Sequence, residues 1–280
     1  MFHRISQWKR QRREQRRRRK LNDPATYPVD MRRDVVDTMV SVKDYTMTSV
    51  DRLHGLCEAV RYMTSVGIQG DIVECGVWRG GSMMAVAKML NQFGDTDRHL
   101  HLFDTFSGMS APTSEDIAVD GQTAETLLDT ESKDDPTSVW CVSSLDEVKS
   151  HMKQTGYDES RIHYHKGMVE DTIPAGAPDK IALLRLDTDW YESTRHEMEH
   201  LFPRLADGGV LIVDDYGHWE GARRAVDEYF AEHQIGMMLH RLDYTGRIGI
   251  HHASIKRADS PSQPASGSSS AQSGAGRDAA

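Results

Sequence analysis

Cysteine is scarce in this sequence. Its three cysteines, Cys57, Cys75 and Cys141, form no Cys-x-x-Cys pair and have no metal-type spacing. That argues against a disulfide-stapled secreted fold and for a reducing compartment, by default the cytoplasm. Long apolar runs are also missing: none approaches the ~20 residues of a membrane span, and the first residues lack the apolar core of a signal peptide. A soluble protein with no membrane partner is expected. Nor is there a Gly-x-Gly-x-x-Gly fingerprint, which disfavours an NAD-dependent oxidoreductase. Residues 257–280 hold almost no large apolar side chains; such a Ser/Gly/Ala/Pro tail cannot support a packed core and is expected to be disordered.

What lies between the ends suits one large α/β domain, read as residues 23–256 of the 280. The formal charge of −9 conceals an asymmetry: residues 1–20 carry ten Lys/Arg and one acid, leaving 24 Lys/Arg against 42 Asp/Glu in residues 21–280. The basic run Lys9–Lys20, within an arm of residues 1–22, has the charge to neutralise phosphates. No aromatic interleaving and no recognisable nucleic-acid fold accompany it, so a solvated arm is expected and nucleic acid is not the expected partner. An RNA-associated protein using this arm is the binding-class alternative.

The chain is organised around Leu183–Thr194, where an apolar run delivers Asp187 and Asp189 to its end, and Gly209–Tyr216, where a second run delivers Asp214 and Asp215. A helical stretch, Glu192–Leu205, separates them. Two apolar β-like runs joined by a helix predict neighbouring parallel strands with their acids gathered at the carboxyl edge. Four carboxylates there repel one another unless a cation or proton compensates, and oxygen donors suit a hard divalent ion. His218, close behind Asp215, competes with Asp189 as a general base.

Upstream, Asp44–Thr48 precedes an amphipathic helix in which Thr48-x-x-Asp51 predicts a capping box and Gly67 a stop. Asp71–Ser82 predicts a strand running into a glycine turn and a helix. Glycines at such a turn admit a ligand close to the backbone, and the helix N-terminus favours its polar groups. The pattern Glu74-x-Gly76-x-x-x-Gly80-Gly81-Ser82 resembles the cofactor loop of class I S-adenosylmethionine-dependent methyltransferases. The next strand, His99–Asp104, ends in an acid placed to accept the hydroxyls of a ribose. Residues 108–136 are polar and aperiodic, which predicts a mobile lid. Ser144 and Glu147 predict a capped helix ending at Gly156, and the strand Arg161–Lys166 leads to Met168 and Val169 at an adenine-pocket position. His163 and His165 are read as sheet-face residues. Gly221–Phe230 predicts a helix, and Met237–Leu242 with Arg247–His252 an antiparallel hairpin, because their connection is too short for a parallel crossover.

Taken in order, the glycine loop, Asp104-Thr105-Phe106, Asp187–Thr194 and Val213–Gly217 resemble the macrocin O-methyltransferase family, enzymes that methylate sugar hydroxyls on macrolide and aminocoumarin antibiotics. The resemblance covers about residues 44–253. It implies an α/β class I methyltransferase (Rossmann-like) fold, a seven-stranded, mostly parallel sheet closed by the C-terminal hairpin. It implies S-adenosyl-L-methionine and Mg²⁺ as cofactors, Asp187, Asp214 and Asp215 as metal ligands, and Asp189 as the base. Thr46, Met47, Glu74, Cys75, Gly76, Val77, Trp78 and Ser82 are the expected cofactor contacts, with Asp104, Thr105, Phe106, Ser107 and Gly108 and the positional candidates Met168 and Val169. The expected function is Mg²⁺-dependent O-methylation of a small-molecule hydroxyl, foremost a sugar or glycoside in antibiotic biosynthesis; a catechol-like diol is the alternative acceptor. Whether the chain forms a homo-oligomer stays open.

Overall fold

The structure, a computed structural model, describes residues 27–135 and 138–256; the basic arm and the Ser/Gly-rich tail lie outside the described residues. Four apolar runs and the half-buried, His/Tyr-bearing Ile162–Lys166 form parallel strands: β1 Asp71–Cys75, β2 Leu100–Asp104, β3 Ile162–Lys166, β4 Ile181–Leu186 and β5 Leu205–Val213. The short β6 (His240–Arg241) and β7 (Arg247–Ile250) add antiparallel, giving seven strands in the order β3-β2-β1-β4-β5-β7-β6. The expected mostly parallel sheet with an antiparallel hairpin is what forms. Its hairpin is shorter than the sequence suggested, because Met237 and Leu239 pack against the core instead of continuing β6.

Side chains alternate between the two faces, and both are covered, as a parallel sheet requires. Ile72, Leu100, Leu102, Leu183, Val210 and Ile212 pack in one layer with α1 (Arg33–Val42), α2 (Val50–Val66) and α3 (Gly81–Phe93). Val73, Phe103, Leu184, Leu186, Leu211 and Val213 pack in the other with residues of three later helices. Because the chain runs outward from β1 to β3 and then returns to β4, the order reverses between β1 and β4. A crevice therefore opens at the carboxyl ends of those strands.

Several local expectations shift. Gly67 ends α2 at φ 76°, as expected, but Ser49 is its N-cap, accepting from Arg52 N–H. Thr48 does not cap because its hydroxyl accepts from the buried Arg185 at 3.2 Å. The Ser144–Glu147 capping box forms, although the helix it starts stops at Lys153. The helix expected over 192–205 covers only Tyr191–His200; a 3-10 turn with Pro203 at its start follows, and β5 begins at Leu205.

The largest correction concerns residues 108–136. They contain a helix, Ala124–Thr130, capped by Thr123, so the α-helices described after α3 are α4 Ala124–Thr130, α5 Leu145–Lys153, α6 Val169–Thr172, α7 Tyr191–His200 and α8 Glu220–Glu232. Ala118, Ala124 and Leu128 from this segment form a small core with Trp190, Trp219 and Ala222. The segment is thus folded onto the carboxyl edge of the sheet, held by two tryptophans whose rings meet edge to face at 5.0 Å.

Candidate active site

The crevice is built by close backbone contact. Gly76 has φ 81°, and a Cβ there would overlap the Asp187 carbonyl oxygen; only glycine lets the ends of β1 and β4 touch. Asp187 N–H donates to Cys75 C=O and Gly76 N–H to Phe103 C=O, each at 2.9 Å. Gly81, at the start of α3, lies against Tyr45 C=O, so the turn bearing Thr46 and Met47 closes over the glycine loop. Among described non-glycine residues five have positive φ, and four of them, Trp78, Phe106, Cys141 and Asp189, lie in or beside this crevice. Asp189 has φ 69°, and across it Trp190 N–H donates to Thr188 C=O at 2.8 Å, a γ-turn geometry of the strained kind. Tight turns of this type aim side chains that a regular strand end cannot.

The resulting cavity has a volume of about 440 Å³. Thr46, Met47, Gly76, Val77, Trp78 and Ser82 line one part of it; Asp104, Thr105, Gly108, Met168 and Val169 continue the same wall. Asp187, Asp189, Asp214 and Asp215 line the floor, with His218 beside them. Four expected cofactor contacts lie elsewhere. Cys75 and Phe106 are buried in the core layers, Ser107 is exposed, and Glu74 turns beneath the floor to Arg185. Asp104 is fixed by three backbone donors: Val77 N–H at 2.6 Å and Trp78 N–H at 3.1 Å on one oxygen, Phe106 N–H at 2.6 Å on the other. It clamps the glycine loop while still facing the cavity, and a carboxylate has lone pairs left for a hydroxyl donor.

Beneath the floor is a group the sequence reading did not identify. Arg185, fully enclosed, contacts Glu74 at 2.7 Å, Asp187 at 2.8 Å and Asp214 at 2.9 Å. Arg52 from α2 pairs with Asp214, and with Asp243 at 3.1 Å. The signal for Arg185 was present: a guanidinium inside an apolar strand must have buried partners. Glu74 is that partner because β1 and β4 pair with Glu74 beside Arg185.

Charges around the floor are unequal. Burial raises the Glu74 carboxyl to about 7 against the pull of Arg185. Burial likewise raises Asp187 and Asp215, and neighbouring carboxylates add to it. Burial pushes Asp189 up to about 7, with Asp187 and Asp214 adding, while hydrogen bonds to Asp215 and Trp219 oppose the rise. Only Asp214, despite its burial, is held below the usual carboxylate range, by Arg185 and Arg52. Burial lowers His218, so its imidazole is neutral near pH 7. Two guanidiniums thus stand among six carboxylates, Glu74, Asp187, Asp189, Asp214, Asp215 and the Asp243 that pairs with Arg52. Asp187, Asp214 and Asp215 each offer an oxygen within 4.8 Å of the others, and Asp215 Oδ2 is buried without a hydrogen-bond partner. Hard oxygen donors, excess negative charge and an unsatisfied carboxylate oxygen fit a divalent cation such as Mg²⁺.

No helix among the described residues is long and apolar enough to cross a membrane. The family model described as Macrocin-O-methyltransferase (TylF) matches residues 2–248. The 8-demethyl-8-(2,3-dimethoxy-alpha-L-rhamnosyl)-tetracenomycin-C 4'-O-methyltransferase of Streptomyces olivaceus is 34% identical over 217 residues, 78% of this chain and 79% of its own length. Mycinamicin III 3''-O-methyltransferase of Micromonospora griseorubida is 32% identical over 204 residues, 72% of this chain and 76% of its own length. The solved structure of the O-methyltransferase NovP superposes with a TM-score of 0.64 at 29% identity, covering 74% of this chain and 82% of that one. With this match spanning the sheet, the glycine loop and the carboxylate floor, the chain belongs to the macrocin O-methyltransferase family and is an O-methyltransferase.

Proposed function

We propose that this enzyme transfers a methyl group from S-adenosylmethionine to a sugar hydroxyl of a glycosylated natural product, with Mg²⁺ bound at Asp187, Asp214 and Asp215. The observation that carries the reading is the convergence of those three carboxylates on the floor of a cavity whose adjoining wall is the glycine loop and Asp104. When bound, S-adenosylmethionine supplies an electrophilic methyl carbon and Mg²⁺ supplies Lewis acidity toward the acceptor hydroxyl. The name of the Streptomyces olivaceus relative, whose substrate is a rhamnosyl-tetracenomycin, supports a glycoside acceptor.

The chain's own residues have distinct tasks. Asp104 keeps the glycine loop in place and faces the ribose side. Asp189, with a pKa near 7 and its backbone fixed in a strained turn, accepts the hydroxyl proton as methyl transfer proceeds. Trp219 hydrogen-bonds to Asp189 and holds it for that transfer. The folded segment over 108–135, anchored on Trp190 and Trp219, excludes water from the cavity. Rate enhancement on this scheme comes chiefly from orientation.

The test is methyl transfer to a panel of glycosides and phenolic diols with S-adenosylmethionine and Mg²⁺. Methylation of a glycoside that stops with chelator and resumes on adding Mg²⁺ is expected. Undiminished activity after chelation contradicts the metal assignment, and methylation of phenolic diols alone moves the acceptor to the catechol class.

A further inference from the structure

The strained turn that ends β4 has a support outside the cavity. Thr188 stands between Asp187 and Asp189 and lines the cavity with them. Its hydroxyl donates to Glu197 Oε1, on α7, at 3.0 Å. Glu197 is fully enclosed, 0% exposed, and takes no part in the cavity lining. Met198 beside it enters the apolar layer packed on the sheet. The Cys75 thiol of β1, a weak donor, is the other polar neighbour of Glu197, and Glu197 Oε2 is buried without a hydrogen bond. Burial raises this carboxyl well above the ordinary carboxylate range, with Glu170 and Asp187 adding and the Thr188 hydroxyl opposing.

For the fold, a carboxyl at this position is unfavourable. Its removal from water is offset by one hydroxyl and a weak thiol, and an apolar side chain of similar size would fill the layer without that penalty. For the turn, it is a support. A non-glycine residue at φ 69° keeps that backbone only where its surroundings enforce it. On one side Asp187 is tied through its N–H to Cys75 C=O at 2.9 Å, and on the other Trp190 is tied through its indole N–H to Ser110 C=O at 3.3 Å. The bond from Thr188 Oγ1 to Glu197 ties the middle. Strain of this kind is comparable in size with one hydrogen bond to a buried acceptor. Losing the central tie therefore lets the turn relax and carry Asp189 with it.

Resting on the assignment of Asp189 as proton acceptor above, we infer that Glu197 is a positioning residue for methyl transfer: through Thr188 it holds the turn that aims Asp189 at the acceptor hydroxyl.

The experiment compares wild type with Glu197→Leu, Glu197→Gln, Thr188→Val and the double variant Thr188→Val/Glu197→Leu. kcat is read with saturating S-adenosylmethionine and Mg²⁺ on the rhamnosylated tetracenomycin named for the Streptomyces olivaceus relative. Hydrogen exchange of the Trp190 amide, which donates across the turn to Thr188 C=O, reads the turn by NMR with no acceptor present, and urea denaturation reads stability. Expected are a kcat about tenfold lower in Glu197→Leu and in Thr188→Val, no further loss in the double variant, and recovery to within about twofold of wild type in Glu197→Gln, whose amide oxygen offers Thr188 the same acceptor. Trp190 exchange should be about tenfold faster in both single variants that lack the bond, with the urea midpoint of Glu197→Leu at or above that of wild type. Thr188→Val carries the same test should Glu197→Leu not fold. Unchanged Trp190 exchange, additive losses in the double variant, or a loss in Glu197→Leu that is shared by Glu197→Gln and follows a lowered midpoint overturns the proposal. Wild type that does not methylate the glycoside overturns the acceptor reading alone, and the exchange and the midpoint then decide the role of Glu197.

Discussion

Two regions of the same sheet bury titratable groups and resolve the problem differently. At the carboxyl edge of β1, β4 and β5, five carboxylates, with Asp243 as a sixth, gather around Arg185 and Arg52, and the arginines leave Asp215 Oδ2 without a partner. On the outer strands, His99 pairs ring to ring with His163 at 2.7 Å and His101 with His165 at 3.2 Å, while Phe103 stacks on His165 at 4.1 Å. An imidazole–imidazole hydrogen bond needs one donor and one acceptor, so within each pair one ring donates and the other accepts. The histidine array also leaves a buried atom, His101 Nε2, short of a hydrogen bond, but Asp71 Oδ2 lies 3.4 Å from it; the carboxylate floor instead has surplus carboxylates around Asp215 Oδ2, which marks it as the candidate ligand site.

The strongest way to break this contrast is Asp187→Ala. Loss of methyl transfer on the order of a thousandfold in kcat/KM is expected, with thermal unfolding still cooperative; steady-state assays with a melting curve check both. Next comes Arg185→Met, which leaves Glu74, Asp187 and Asp214 without their internal cation. Breaking a buried pair from one side costs about 3–5 kcal/mol, and urea denaturation should show a loss of that order. Asp189→Asn should reduce kcat about a hundredfold while Mn²⁺ binding, read by paramagnetic resonance, is retained; loss of the ion would assign Asp189 to the ligand set instead.

The smallest effect sharpens the comparison by its sign. Burial and the neighbouring His101 and His163 lower His165 to about 4, below the ordinary ~6.5. Below pH 6.5 the unfolded chain takes the proton first, so stability falls as pH drops from about 6.5 to 4. Glu74, raised to about 7, acts in the opposite direction: its contribution is fully present below its ordinary value of ~4.5 and is lost as pH rises through 7. His165→Phe should therefore flatten the acid limb of the stability profile by on the order of 1 kcal/mol, a figure discounted for partial exposure. A parallel shift with an unchanged slope would show that His165 does not titrate as described.

Legibility in the sequence followed the range of the interactions. Parallel strands and the positions of Asp187, Asp214 and Asp215 were readable because an apolar run and the acid that ends it are local. The Ser144–Glu147 box and Gly67 stop were readable for the same reason. Thr48 was misread as a cap because its hydroxyl is taken by Arg185, 137 residues away. Glu74 was read as a cofactor contact because its orientation depends on the pairing of β1 with β4. The seven-residue α4 carries too short a pattern to show a period, and its buried side depends on Trp190 and Trp219 from distant segments. The hydrogen bond from Thr245 Oγ1 to the Asp214 carbonyl oxygen likewise exists only in three dimensions.

The central claim, that Asp187, Asp214 and Asp215 together hold one divalent cation, is tested most directly by titrating Mn²⁺ into wild type and Asp215→Asn and counting free ion by paramagnetic resonance. One ion per chain in wild type, with affinity weakened about tenfold or more in the variant, is the predicted result. Equal binding by both proteins, or none by wild type, would contradict it.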